Sequence, residues 1–231
     1  MPSQVFWGSP RQARLEAKET LPAKLDLILE QLHVRDRVKG ETVAIKMHTG
    51  NNIVYSTVHP VFVRKVVQAV KEGGGKPFIC DVNWDARGAE ERGYSSETLG
   101  CSVYPAGGPD EKYFYAHERP YKNIKEWKVA GMIQDATFLI NLAHAKGHPS
   151  CSYGGAFKNL ALGCMVGETR SAMHDAMQFD RYGLRTNART RKHANASQKS
   201  VRMKRLSWTR TIPMSFIYIQ NNVTLVAAAC K

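Results

Sequence analysis

Residues 136–174 read ATFLINLAHAKGHPSCSYGGAFKNLALGCMVGETRSAMH, and this stretch joins an apolar run to a loop rich in glycine. The apolar run, Ala136 to Leu142, is typical of a short buried strand. The glycines and the proline after it favour a loop. His144, Lys146 and His148 therefore lie just past the carboxyl end of a predicted strand. In open α/β sheets this edge is where ligands bind.

A helix is predicted to begin directly after the loop, over residues 156–163. Its first backbone N–H groups lack partners within the helix, and Gly154 and Gly155 would let an anion approach them closely. Lys158 lies in the first turn, where the helix dipole disfavours a cation unless an anion or a covalent partner is near. The pattern predicts Lys158 as a phosphate ligand, or as a nucleophile if its pKa is lowered.

The rest of the chain alternates strands and helices. Strands are predicted at residues 4–7, 42–47, 77–82 and 138–142, and amphipathic helices at residues 20–32 and 59–72. The order strand, helix, strand over residues 42–82 forms a right-handed βαβ unit. We expect short helices at 89–99 and 127–134, and an edge hairpin or insertion at 101–123. The predicted class is α/β, a three-layer sandwich with a mainly parallel sheet.

Three of these strands bring polar residues to the same edge of the sheet, namely His48, Asp81 and the segment 144–148. Histidine is the commonest metal ligand and the usual general base near neutral pH. Tyr153, Asn159 and Asp81 are candidates to orient the histidines. His174 falls on a further predicted helix. Neither a P-loop motif nor a G-x-G-x-x-G fingerprint occurs in the chain.

Charge divides the chain into a nearly neutral body and a basic tail. Residues 1–180 contain 22 basic and 20 acidic side chains, whereas the last 51 residues contain 11 basic side chains and no acidic one. The five cysteines show no C-x-x-C spacing, which argues against a disulfide framework and against a self-contained zinc or iron–sulfur site. With no apolar stretch of about 20 residues and no signal-peptide pattern, a soluble, cytoplasmic protein is expected.

Several motifs recur in the order of a known family. Residues 147–163 follow G-H-x5-G-G-A-x-K-N-L-x-x-G, with Met-His at 173–174. The upstream segments are VAIKMH, HPVFVRKVVQAV, GGKPF and the run from Asp135 to Lys146. Over about residues 4–180 the chain resembles the uncharacterised Fe–S centre protein family, domain of unknown function 362. This resemblance implies a redox or metal-linked role and a ferredoxin-like tail that holds 4Fe–4S clusters.

The tail departs from that family pattern, since residues 181–231 contain a single cysteine. We interpret residues 1–180 as the α/β domain of the family. Residues 181–231 are an atypical basic tail, frameshifted or disordered, in place of the ferredoxin-like segment. The iron–sulfur cluster is therefore expected for the family, but its cysteine ligands are missing in this chain. The frameshift hypothesis fails if no other reading frame of the gene encodes a cysteine-containing acidic segment.

The order of histidine, Gly-Gly, lysine and histidine is also similar to that of the nickel-pincer lactate racemases. This likeness implies Lys158 as the tether of a nickel-bearing nicotinic cofactor, His174 as a metal ligand and His148 as the acid/base. The racemases carry Pro-Gly where this chain has Leu162-Gly163, and they have a second large domain.

The sequence thus predicts catalytic roles for His148, Lys158 and His174, with His174 as the metal ligand. The residues expected to bind a cofactor or an anion are His144, Lys146, Gly154, Gly155, Lys158, Asn159 and Asp81. The leading function is a redox or metal-linked role with a small-molecule or anionic ligand, oxidoreductase-linked or isomerase-like if enzymatic. The alternatives are a non-catalytic phosphate- or carboxylate-binding module and a racemase-like enzyme. Nucleic-acid binding through the tail is the least favoured interpretation, and no membrane partner is expected.

Overall fold

A computed structural model describes residues 5–50, 56–148, 152–177, 214–219 and 224–229. Its main sheet has seven strands in the order β1-β11-β10-β7-β2-β3-β4. The bounds of these strands in chain order are β1 Val5–Gly8, β2 Thr42–Met47, β3 Lys76–Asp81, β4 Val103–Pro105, β7 Phe138–His144, β10 Met214–Ile219 and β11 Thr224–Ala229. Two further pairs lie outside this sheet, the hairpin of β5 Phe114–Tyr121 with β6 Ile124–Ala130, and the short pair β8 Gly147–His148 with β9 Ser152–Tyr153.

Strands β7, β2, β3 and β4 are all parallel to one another. Strand β10 runs antiparallel to both β7 and β11, while β1 is parallel to β11, so β10 alone among the seven runs in the opposite direction. The predicted α/β class with a mainly parallel sheet is confirmed. The two strands from the last 51 residues place part of the basic tail between β7 and β1.

Helices cover both faces of the sheet. The longer helices are α1 Leu21–Gln31, α3 Pro60–Glu72 and α8 Gly167–Met177, and the shorter ones are α2 Val34–Arg37, α4 Asn83–Arg87, α5 Ser96–Leu99, α6 Gly131–Asp135 and α7 Gly155–Ala161. Helix α3 begins at Pro60 after the cap residue His59, whose ring nitrogen accepts a hydrogen bond from the backbone N–H of Val61. No helix in the described ranges is long and apolar enough to cross a bilayer.

The alternation of side chains along β2 decides which groups reach the two faces. Val43, Ile45 and Met47 belong to the large apolar core that α1 and α3 cover. Ala44 points to the opposite face and joins a smaller cluster with Cys80. Because alternate residues of a strand share a face, Lys46 lies on this second face, beneath α7.

Two predicted helices are helical over only part of their predicted ranges. Residues 89–99 contain a 3-10 turn, Glu90–Arg92, and the separate helix α5, because Gly93 takes a left-handed conformation and Ser95 caps a new helix start. Residues 127–130 belong to strand β6, which pairs with β5, and only α6 is helical. Trp127 donates from its indole N–H to the carbonyl oxygen of Arg119 across this hairpin, so a tertiary contact overrides the local helical pattern.

Candidate functional site

A buried lysine stands at the centre of the sheet's carboxyl edge. Lys46 is 1% exposed, and its Nζ donates to Asp81 Oδ1 at 2.8 Å, to Asn159 Oδ1 at 3.0 Å and to the carbonyl oxygen of Met47 at 3.0 Å. All three ammonium hydrogens therefore have acceptors. Burial is the largest single effect and opposes the charged form of Lys46, but the charge and hydrogen bond of Asp81, together with Cys164 and Cys80, raise the pKa of the ammonium group overall. The lysine is a buried cation at neutral pH.

Asp81, at the end of β3, is the counter-ion of this lysine and is 2% exposed. Its Oδ1 also accepts from the backbone N–H of Val82 at 2.8 Å. Its Oδ2 accepts from the backbone N–H of Thr49 at 2.8 Å and from the Thr49 hydroxyl at 3.2 Å. Although burial favours the neutral acid, the charge of Lys46 and the hydrogen bond from His48 hold the pKa of Asp81 well below its usual range.

Two asparagines connect this pair to the glycine-rich segment. Asn159, on α7, donates from Nδ2 to the carbonyl oxygen of Lys46 at 2.9 Å and to Asn141 Oδ1 at 2.5 Å. Asn141, on β7, donates to the carbonyl oxygen of Ala156 at 2.9 Å. The network ties α7 to strands β2 and β7, which fixes the position of Lys158 one residue before Asn159.

A cavity of about 610 Å³ opens above this network. All nine residues that the sequence predicts as site residues line it, namely Asp81, His144, Lys146, His148, Gly154, Gly155, Lys158, Asn159 and His174. The expected convergence of three strand ends is therefore found. Trp84, which is 64% exposed, lies at the same cavity, as does Arg170, which is held by Glu111 at 3.1 Å.

One wall of the cavity concentrates positive charge. Lys146 donates to the carbonyl oxygen of Ser56 at 2.7 Å, and burial together with the charge of Lys158 lowers the pKa of Lys146 to about 8. Burial and the charge of Lys158 also lower the pKa of His148 to about 4, with His174 adding to the effect. Lys146 and Lys158 are thus neighbouring basic groups in a partly desolvated site, and they help to keep His148 neutral.

His148 and His174 lie face to face, with ring centroids 6.3 Å apart and ring planes 4° from parallel. Burial and the charges of Lys158 and Arg170 lower the pKa of His174. His144, at the end of β7, also has its pKa lowered, by burial and by Lys146, and its Nδ1 is buried without a hydrogen-bond partner among the described residues. All three imidazoles are therefore held in the neutral form near pH 7, which is the form that ligates metals and accepts protons.

A fourth histidine of the cavity, His48, is surrounded by carboxylates. His48 follows β2, and its Nδ1 lies 3.4 Å from Asp81 Oδ2 and 3.2 Å from Asp85 Oδ2. Burial opposes protonation of His48, but the hydrogen bonds to Asp81 and Asp85 raise its pKa. The cavity thus holds histidines whose pKa values are displaced in opposite directions.

The sequence-based site omits Lys46, Thr49 and Asp85, and it places His48 at this edge of the sheet without a role. Lys46 could have been found, because a lysine at an inward position of the apolar run VAIKM requires a buried partner. Asp85 is brought in by α4 and carries no sequence signal.

A glycine is required at position 155 for a structural reason. Gly155 has a φ of +50°, and a Cβ atom there would lie 2.5–2.6 Å from the Tyr153 side chain. Its role in anion binding stays a prediction.

The cysteines of the described part do not fit an iron–sulfur cluster. Cys80, Cys101 and Cys164 are buried free thiols, and they do not form a group that could hold a cluster, which is bound by several cysteines. Within those ranges the sole group of three or more potential metal ligands is His48, Asp81 and Asp85, which contains no cysteine. Cys151 and Cys230 lie outside the described residues.

Comparison with known families gives one match. Residues 43–225 fit the family model described as Domain of unknown function (DUF362). The match includes the cavity-lining segments and continues 45 residues beyond Asp180, through β10 to the start of β11. No curated protein and no solved structure shows significant similarity to the chain.

Proposed function

The chain belongs to the family Domain of unknown function (DUF362), and from this premise we propose that its cavity binds an anionic small molecule or cofactor. Lys146 and Lys158 would hold the anionic group, and His148 would exchange a proton with it. The observation that carries the proposal is that Lys146 and Lys158 line the same cavity, where a bound phosphate or carboxylate would relieve the repulsion between them.

The size of the cavity supports a ligand of metabolite or cofactor size. A volume of about 610 Å³ falls within the range of small-molecule sites, roughly 300–1,000 Å³. Its position at the carboxyl ends of β2, β3 and β7 is the usual place for a ligand of a parallel sheet.

A redox or metal-linked role is proposed for a group bound in this cavity, because the described cysteines do not fit a cluster. A cytoplasmic location belongs to the same proposal and is supported by the free thiols of Cys80, Cys101 and Cys164.

Replacing either cavity lysine is expected to weaken the binding of inorganic phosphate. A hydrogen bond to a charged group contributes about 1.5–3 kcal/mol, so Lys146→Met and Lys158→Met should each raise the Kd about 10-fold or more at pH 7. Isothermal titration calorimetry measures the change, and Lys125→Met, an exposed lysine on β6, is the matched control. Phosphate affinity that is equal in all three variants would contradict the proposal. Binding that survives His148→Ala and His174→Ala would favour a non-catalytic binding module.

A racemase-like enzyme with a lysine-tethered cofactor is the second candidate, favoured by Lys158 and His174 lining the same cavity. The lowered pKa of His174 favours its neutral form, as metal ligation requires. Among the described residues, His174 does not belong to any group of three potential metal ligands. A metal there would take its other ligands from the cofactor. When bound, the cofactor would supply the metal centre, while Lys158 anchors it and His174 orients the metal.

The tether makes a specific mass prediction. Protein purified from its native host should be heavier than the unmodified chain, and Lys158→Met should have the mass of the unmodified chain after correction for the substitution. Intact-mass spectrometry with metal analysis of the same samples makes the measurement, and Lys125→Met should retain both adduct and metal. If the native protein has the mass of the unmodified chain, the tethered cofactor is excluded, whereas the anion site is unaffected.

A further inference from the structure

We propose that His48, held in place by Asp81 and Asp85, is a second proton-transfer group of this cavity and acts on the ligand of the anion site proposed above. The inference rests on that proposed function. It assigns to the ligand a second polar group, a hydroxyl or carbonyl oxygen, which lies beside His48 while the anionic group lies beside Lys146 and Lys158.

The geometry fixes which nitrogen of His48 is available. Ionised carboxylates only accept hydrogen bonds, so the nitrogen between Asp81 and Asp85, Nδ1, carries a hydrogen atom. The side chain is 30% exposed and lines the cavity, which leaves Nε2 as the ring nitrogen that can contact a ligand. A histidine oriented by carboxylates at one nitrogen and open at the other is the arrangement of a general acid or base.

The same three side chains have the composition of a metal site, since their ligand atoms lie within 4.8 Å of one another. The surroundings of Asp81 argue against a metal. Its two oxygens already accept four hydrogen bonds from Lys46, Val82 and Thr49 in addition to the contact with His48. The buried ammonium group of Lys46, 2.8 Å from Oδ1, would also repel a divalent cation. The environment favours an imidazolium ion at this position.

The contrast with His148 supports a division of roles. Carboxylates surround His48 and raise its pKa, whereas burial and the lysines beside His148 lower the pKa of that ring to about 4. Two titratable groups in one site whose pKa values are pushed apart are candidates for acid and base. His48 would donate a proton, and His148 would accept one.

The step at His48 is a single proton transfer. The Nε2–H bond breaks as the proton moves to an oxygen atom of the ligand, and His48 becomes neutral while its Nδ1–H continues to donate to the carboxylates. The reverse transfer restores the imidazolium ion. No oxidant, reductant or further reactant takes part.

Nuclear magnetic resonance of protein labelled with ¹⁵N at the histidine rings tests the proposal without knowledge of the substrate. The His48→Gln and His148→Gln variants assign the two signals. We expect His48 to keep Nδ1–H and to titrate above the ordinary pKa of 6.5. Asp85→Asn should lower the pKa of His48 by about one unit or more, because it removes an adjacent charge. Glycerol 3-phosphate, which carries hydroxyl groups in addition to its anionic group, should shift the Nε2 resonance of His48, while His117, an exposed histidine on β5, should respond to neither change.

The outcomes separate this inference from the proposed function. If glycerol 3-phosphate shifts the His148 signals and leaves those of His48 unchanged, the anion site stands and His48 has no part in it. If glycerol 3-phosphate shifts neither, the anion site itself fails, and the inference fails with it. Saturation of the His48 signal by Zn²⁺ at micromolar concentration, lost in Asp85→Asn, would identify a metal centre and overturn the proton-transfer role.

Discussion

Replacing Asp81 by alanine is expected to destabilise the protein by about 3–5 kcal/mol, since breaking a buried ion pair leaves the remaining charge without compensation. Lys46 is 1% exposed, and Asp81 supplies its only carboxylate partner in the described structure. The backbone N–H groups of Thr49 and Val82 would lose their acceptors as well. The free energy of unfolding from urea titration at pH 7 measures the effect, provided that the transition is two-state.

A double-mutant cycle separates the ion pair from its surroundings. Lys46→Met combined with Asp81→Leu should cost less than the sum of the two single changes, because neither charge is then left buried alone. The matched control is Glu72→Ala, which removes the exposed pair of Arg35 and Glu72 and should cost about 1 kcal/mol or less. If Asp81→Ala costs no more than Glu72→Ala, the buried pair is not the anchor of the site.

The pH dependence of stability has a defined sign at this position. The pKa of Asp81 in the folded protein lies below the ordinary value of 3.8. The contribution of Asp81 is therefore fully present above that ordinary value and is lost as the pH falls towards the pKa of the folded state. Wild-type protein should lose stability in this acidic window more steeply than Asp81→Ala does.

The place of the site could be predicted from sequence because it depends on strand order alone. The carboxyl ends of parallel strands meet at one edge, so the residues after β2, β3 and β7 had to converge once βαβ connections were recognised. No such rule predicts the position of the other side chains that complete the site. Asp85 is presented by a five-residue helix. Asn159, which accepts a hydrogen bond from Lys46, lies 113 positions away from it in the chain.

The wrong helix at residues 127–134 has the same physical origin. Its helical pattern is real over α6, but the preceding residues pair with β5, and this long-range pairing decides their conformation. Lys46 shows the opposite case. A lysine in an apolar strand contradicts the local pattern, and such contradictions tend to mark functional or strained sites. The buried network that it organises lies beneath the proposed anion site.

Sulfate affinity is expected to fall about 100-fold between pH 5 and pH 9, because the sulfate complex holds more protons than the free cavity over this range. A bound anion raises the pKa of His148 and His174 above their lowered values in the free protein, so binding takes up protons and is strongest at low pH. Above the Lys146 pKa of about 8, that side chain also loses its charge. Sulfate is the suitable probe because it remains a dianion throughout, whereas phosphate changes its own charge.

Calorimetry in buffers of different ionisation enthalpy should therefore detect proton uptake on binding at pH 5–6. His148→Gln should reduce this uptake and flatten the acidic part of the profile, while Lys146→Met should flatten the part above pH 8. His117→Gln, on the distant hairpin, should leave the whole profile unchanged. Circular dichroism at each pH shows that the fold is retained. An affinity that is constant from pH 5 to pH 9 would mean that these groups do not contact the anion, and the charge on this wall would then need another explanation.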